Sequence, residues 1–143
     1  MPHTIRDVMT SNPCTIDAER TVAYAAKMMQ EEDVGLAPIV EGDKLIGMLT
    51  DRDIAIRIVA EGRNPDQVTV GEVASTQVVT IDPQQEHDEA LRIMGKHQVR
   101  RLAVVEEDGK LVGVVAQADI AREGDDKQTG ELVEEISNRR VNV

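Results

Sequence analysis

The 143-residue chain contains no phenylalanine, no tryptophan and one tyrosine, Tyr24. Its core must therefore be built from Val, Ile, Leu, Met and Ala, and successive aromatic platforms for stacking bases are excluded. Cysteine is nearly absent too. Cys14 stands alone, which rules out an intrachain disulfide and any CxxC metal site; on an extended segment it reads as a small buried apolar residue, with an intermolecular or redox role as the minor alternative. Cations are scarce, 16 Lys and Arg against 27 Asp and Glu, for a net charge of −11. Nucleic-acid affinity comes largely from neutralising phosphates, so this composition argues against such a partner. It leaves room for one small phosphate in a local basic pocket. The opening MPHTIRDVMT lacks the apolar run of a signal peptide. No segment approaches the roughly 20 apolar residues of a membrane span. The expectation is a soluble, cytoplasmic protein with no membrane partner.

What the chain does have is one phrase written twice. GMLTDRDI, residues 47–54, returns as GVVAQADI, residues 113–120. With a shift of 65 residues, Thr15, Ile16, Asp17, Ala25, Met29, Val34, Val40 and Glu41 fall on identical residues from Thr80 to Glu106. With one more residue inserted, Lys44, Leu45, Gly47, Asp53, Ile54 and Ala55 do the same from Lys110 to Ala121. A repeat of this kind makes two copies of one supersecondary unit.

Each copy reads as β-α-β-β-α. An extended piece, Cys14–Ile16 or Val78–Ile81, precedes a helix with an apolar stripe: Val22, Ala25, Ala26 and Met29 at i, i+3, i+4 and i+7 in copy one, and Ala90, Leu91 and Met94 in copy two. Two strands then flank a turn, Gly42-Asp43 or Asp108-Gly109, the chemistry of a hairpin. A second helix begins near Asp51 or Gln117. Residues 5–9 and 70–73 form equivalent short helical lead-ins. The first repeat spans 1–61, the linker 62–69 and the second repeat 70–123. The tail, 124–143, includes a mobile Gly124-Asp125-Asp126 and a short helix over Thr129–Ser137. A unit of about 60 residues is marginal alone, so the repeat predicts an α/β (α+β) pair packed with pseudo-twofold symmetry and equivalent clefts between the halves.

Thr50-Asp51-Arg52-Asp53 has two readings. A threonine followed three residues later by an acid is a capping box. The same corner suits a nucleotide: the first helical turn offers N–H groups to an anion, Thr50 and Arg52 stand near it, and an aspartate can accept both hydroxyls of a ribose diol. In copy two Ala116 cannot cap, yet Asp119 is retained, which favours a ligand role for the aspartate. Acids in a first helical turn are favourable in any case.

These residues bring out a family resemblance. The tandem β-α-β-β-α units, the openings DVMTSNPCTI and VVTI, the phrase GMLTDRDIA and the run HQVRRLAVVEEDGKLVGVV together resemble the CBS-domain pair, or Bateman module, over roughly Thr4 to Arg122. In length and stand-alone format the chain is similar to the actinobacterial hypoxic-response type of CBS-pair protein. The resemblance implies regulation rather than catalysis, and an adenosine-containing ligand such as AMP, ADP, ATP or S-adenosylmethionine in the cleft between the repeats. By it, Asp53 takes the ribose, Thr50 and Arg52 lie near ribose or phosphate, and Cys14, Thr15, Leu36, Ala37 and Pro38 hold the base. In the second site Asp119 matches the ribose position, with Val78, Val79 and Thr80 on its leading strand. Ala116 and Ala118 depart from copy one there. Arg100 and Arg101 either reach phosphates or screen an acidic surface. A flat homodimer and an unidentified protein partner follow from the same resemblance.

Other residues add less. His3, His87 and His97 lack metal-ligand spacing with one another or with Cys14, and His87 and His97 read as solvated ends of one helix. Met9, Met28, Met29, Met48 and Met94 read as fillers of core gaps or an interface, and Tyr24 as packed on its helix. No serine or cysteine pairs with a histidine in a legible triad, and no GxxxxGK loop occurs, so an enzyme is not expected. The rival functions are a structural or interaction homodimer with empty clefts, and a metal- or redox-responsive protein using Cys14 and the histidines.

Overall fold

The computed structural model describes residues 3–125; the expected tail helix over Thr129–Ser137 lies outside them. The chain divides into two compact units. The first comprises residues 13–78 and 107–111; the second, among the described residues, comprises 3–12, 79–106 and 112–125.

In the first unit β2 (Ile16–Asp17) leads into α2 (Val22–Glu32), then the hairpin β3 (Leu36–Glu41) and β4 (Lys44–Thr50), then α3 (Asp51–Ile54), which continues as a π-helical turn over Ala55–Val59. The sheet order is β2-β3-β4, with β2 parallel to β3 and β3 antiparallel to β4. The second unit repeats the plan with β5 (Thr80–Ile81), α5 (His87–His97), β6 (Arg101–Val105), β7 (Leu111–Ala116) and α6 (Gln117–Asp125). A further strand, β1 (Thr10–Ser11), extends its sheet to β1-β7-β6-β5. β1 is not legible in the sequence, because two polar residues pair only through their backbone with Val114 and Gly113.

Local chemistry explains the elements. Thr21 caps α2 by accepting the Tyr24 amide at 3.1 Å. Both long helices end in a left-handed residue at equivalent places, Asp33 and Gln98, each with φ of 55°. The hairpin turns use Gly42 and Gly109 at φ of 64° and 90°, where a side chain is disfavoured.

The lead-in helices show what the sequence does not. α1 (Ile5–Val8) packs in the second unit, and α4 (Val70–Val73) in the first. The exchange is reciprocal. The Ile5 amide donates to the Gln85 carbonyl and the Val70 amide to the Arg20 carbonyl, each at 2.8 Å. The Arg6 amide donates to Pro83 and the Gly71 amide to Ala18, each at 3.0 Å. Ile5 joins the core of Ile81, Ala90, Met94, Leu102, Val104, Val115 and Ile120. Val70 and Val73 join Ile16, Val22, Ala25, Met29, Ile39, Leu49 and Ile58. Burial of each such side chain stabilises by roughly 1.5–3 kcal/mol.

Several expectations about side chains are corrected. Ala26 is exposed, so the stripe of α2 is Val22, Ala25 and Met29. Leu91 is 39% exposed, leaving Ala90 and Met94 as the inward pair of α5. Cys14 is exposed rather than buried, because it precedes the two paired residues of β2. His87 is half-buried, with an Nε2 that finds no hydrogen-bond partner among the described residues, while His97 is exposed as expected. Tyr24 is 46% exposed and carries the Arg20 guanidinium 4.7 Å above its ring. Gly124 and Asp125 continue α6. Of the methionines, Met29 and Met94 are buried, and Met9 and Met28 pack against the two cores. No helix among the described residues is long and apolar enough to cross a membrane.

Candidate functional site

The candidate site of the first unit is the corner where β4 hands over to α3. Thr50, the N-cap, is extended at φ −113° and ψ 162°. Its amide donates to Asp53 Oδ2 at 2.9 Å, and its hydroxyl accepts the Asp53 amide at 3.0 Å, so the capping box is complete. The other carboxylate oxygen, Asp53 Oδ1, lies 3.6 Å from Arg57 Nη2, beyond good hydrogen-bond geometry. The Asp53 side chain is 18% exposed. Asp51 and Arg52 are exposed on the same turn. The corner thus presents two carboxylates and two guanidiniums at a helix start, where backbone N–H groups favour negative charge.

Sheet register decides what else gathers there. Ile16 pairs with Ile39 in parallel, and Leu36 pairs with Thr50, Ala37 with Leu49 and Pro38 with Met48 in antiparallel register. Cys14 and Thr15 precede the first ladder pair of β2. They therefore lie at the same end of the sheet as Leu36, Ala37, Pro38 and Thr50. Cys14 and Thr15 are exposed, Leu36 is half-buried and Pro38 is buried. Ala37 is fully buried within the core, so its side chain is committed to packing and only its backbone is available at this edge.

The second unit repeats the corner with losses. Asp119 Oδ2 accepts the Ala116 amide at 2.9 Å. Half of the capping box therefore survives without a threonine, and the retention of Asp119 has a local explanation that the sequence did not reveal. Asp119 Oδ1 is bonded to Arg122. The Gln117 amide donates to the Arg100 carbonyl at 2.8 Å, which sets Arg100 beside this corner. Arg100 and Arg101 are both exposed, as is Thr80 at the start of β5, while Val78 and Val79 are half-buried. Ala118 is half-buried on the first turn, where copy one carries Arg52.

Gly35, Arg57 and Ser75 of the first corner are not legible in the sequence as site residues. The Asp51 amide donates to the Gly35 carbonyl at 2.9 Å, and a Cβ on Gly35 would come within 2.9 Å of Asp51 Oδ2. Arg57 donates to the Val73 carbonyl at 2.5 Å and to Ser75 Oγ at 3.2 Å. The i, i+4 spacing of Asp53 and Arg57 was available as a signal; the partners at 73 and 75 were not.

Comparison with known proteins places this geometry. The CBS-domain family model matches residues 5–60 and 70–126. The CBS domain-containing protein YhcV of Bacillus subtilis is 38% identical over 138 residues, covering 96% of this chain and 97% of that protein. Hypoxic response protein 1 of Mycobacterium tuberculosis is 42% identical over 120 residues, 83% of each chain. A crystal structure of Hypoxic Response Protein I, with two coordinated zinc ions, superposes with a TM-score of 0.77 at 42% identity, over 84% of this chain and 98% of that one. The CBS-domain pair of MJ0100, solved with 5'-methylthioadenosine and S-adenosyl-L-methionine, gives a TM-score of 0.75 at 26% identity, over 90% of this chain and all of that one. Two matched repeats, two β-α-β-β-α units and two equivalent strand-to-helix corners lead to one conclusion: the chain belongs to the CBS-domain family, as a tandem pair.

Proposed function

We propose that the chain is a regulatory, non-catalytic sensor of an adenosine-containing small molecule (AMP, ADP, ATP or S-adenosylmethionine), with Asp53 as the ribose acceptor. The observation that carries the reading is the division of labour on Asp53. One oxygen holds the Thr50 amide, and the other has only a 3.6 Å contact with Arg57 among the described residues. A vicinal diol donating to that second oxygen leaves the helix cap intact. The ligand class of the MJ0100 pair supports the choice of adenosine compounds.

Thr50 and Arg52 stand at the phosphate or ribose side, and Cys14, Thr15, Leu36 and Pro38 border the base. Asp119, Val78, Val79, Thr80, Arg100 and Arg101 are the counterparts in the second repeat. Binding acts by shifting a conformational population, to the extent that the ligand prefers one state. Output passes to a protein partner or through self-association in the cytoplasm. A homodimer is supported by the exposure of Ile56 (47%) and Val59 (72%) on the π-helical turn. Light scattering at micromolar concentration tests it, and a monomer there removes it. Among the described residues no three of His, Cys, Asp and Glu come together to hold a metal ion.

The test is thermal unfolding with each of the four ligands, for wild type, Asp53→Ala and Asp119→Ala. A ligand at 100 times its dissociation constant adds roughly 2.7 kcal/mol, a rise of several degrees for a chain of this size. A rise lost in Asp53→Ala supports the sensor. No rise with any ligand returns the corner to a helix cap and favours the interaction homodimer.

A further inference from the structure

The geometry points to Arg57 as the positioning residue of the Asp53 site, and to its loss in the second repeat as what makes the two corners unequal. The inference rests on Asp53 being the ribose acceptor. Arg57 is held at two points by a segment distant in sequence. One is the Val73 carbonyl at 2.5 Å and the other is Ser75 Oγ at 3.2 Å. Ser75 is itself fixed to β4 by paired backbone bonds with Met48, both 2.9 Å. The guanidinium fork is thereby set in place, and Nη2 lies 3.6 Å from Asp53 Oδ1. That oxygen is the one the capping box leaves open. A planar fork with fixed anchors holds a charge at a defined point, which the single ammonium of lysine on a flexible stem does not.

The second repeat has no equivalent. In the register that sets Asp53 on Asp119, Arg57 falls on Glu123, an acid, whose carboxylate lies 3.5 Å from His3 Nδ1. Asp119 takes its cation from Arg122 instead, one residue earlier on the helix and 65% exposed. The open oxygen of Asp53 lies 3.6 Å from an anchored cation and accepts no hydrogen bond among the described residues. The corresponding oxygen of Asp119 is already in direct contact with Arg122. A diol must displace that contact at the second corner and need not at the first.

The test is titration calorimetry of the full chain with AMP and with S-adenosylmethionine, using whichever binds wild type more tightly. It is run at a temperature where every variant is folded. Arg57→Ala is expected to weaken binding about tenfold, the loss of one positioned charge contact. Arg57→Lys is expected to recover part of that, and Ser75→Ala, which removes one anchor and keeps the charge, to weaken binding about twofold. A merely structural role would lower the unfolding midpoint and leave the dissociation constant of the folded protein unchanged. Wild-type affinity in Arg57→Ala, with Asp53→Ala inactive, overturns the role of Arg57 and spares that of Asp53. Should Arg57→Ala not fold, wild-type affinity in both Arg57→Lys and Ser75→Ala overturns it equally. Absence of binding by wild type removes both.

Discussion

Thr50 and Asp53 hold each other at the start of α3, amide to carboxylate at 2.9 Å and amide to hydroxyl at 3.0 Å. Ala116 and Asp119 keep only the first of these bonds. Thr50→Ala should therefore cost about 1 kcal/mol. Ala116→Thr should gain up to a similar amount by supplying the missing acceptor for the Asp119 amide. Urea unfolding of both variants decides this, and a destabilising Ala116→Thr would show that the second corner has no room for the hydroxyl.

The exchanged lead-ins make a cross-wise prediction. Ile5 is fully buried in the second unit and Val70 in the first. Ile5→Ala should destabilise by about 2–5 kcal/mol, Val70→Ala by somewhat less because fewer atoms are lost. Hydrogen exchange should quicken in α5 and β6 for Ile5→Ala, and in α2 and β3 for Val70→Ala. The reverse pattern, with each change felt in its own sequence repeat, would refute the exchange.

Glycine in the twice-written phrase has a packing reason. A Cβ on Gly47 would lie 2.9 Å from the Ser75 carbonyl oxygen, and one on Gly113 would lie 2.8 Å from the Thr10 carbonyl oxygen and 2.6 Å from Met9 Sδ. Met9 can swing aside, but the backbone oxygens cannot move cheaply. Alanine at either position should cost about 1–3 kcal/mol through overpacking, read as a lower thermal midpoint. Unchanged midpoints would mean the lead-in segments do not lie against the strands.

Acid should weaken the chain through two surface carboxylates. The Arg92 guanidinium, donating to Glu89, holds that carboxyl below its ordinary value of 4.5. The Lys110 amide, assisted by the charge of Lys44, holds Asp108 below 3.8. A carboxyl lowered on folding stabilises above its ordinary value, and that contribution is lost as pH falls through the folded one. Glu89→Gln and Asp108→Ala should thus be less stable than wild type at pH 7. The gap should narrow below about pH 4.5 and, for exposed pairs, shrink in high salt. A gap that widens on acidification would contradict the sign.

The sequence by itself determined the two β-α-β-β-α units, the hairpin turns and the corners bearing Asp53 and Asp119. Each is a local matter: apolar periodicity, turn chemistry at Gly42 and Gly109, and capping within three residues of Thr50. Even the lead-in helices were legible as helices. Only the tertiary structure decided which unit each lead-in joins, because Ile5 and Val70 are equally apolar and nothing local says which core receives them. It likewise decided that Cys14, Ala26 and Leu91 face outward, that Ala37 is committed to the core, and that a two-residue strand of Thr10 and Ser11 closes one sheet edge. Arg57 is the clearest case. Its helical spacing to Asp53 is written in the chain, but its anchors at Val73 and Ser75 exist only once α4 has folded back into the first unit.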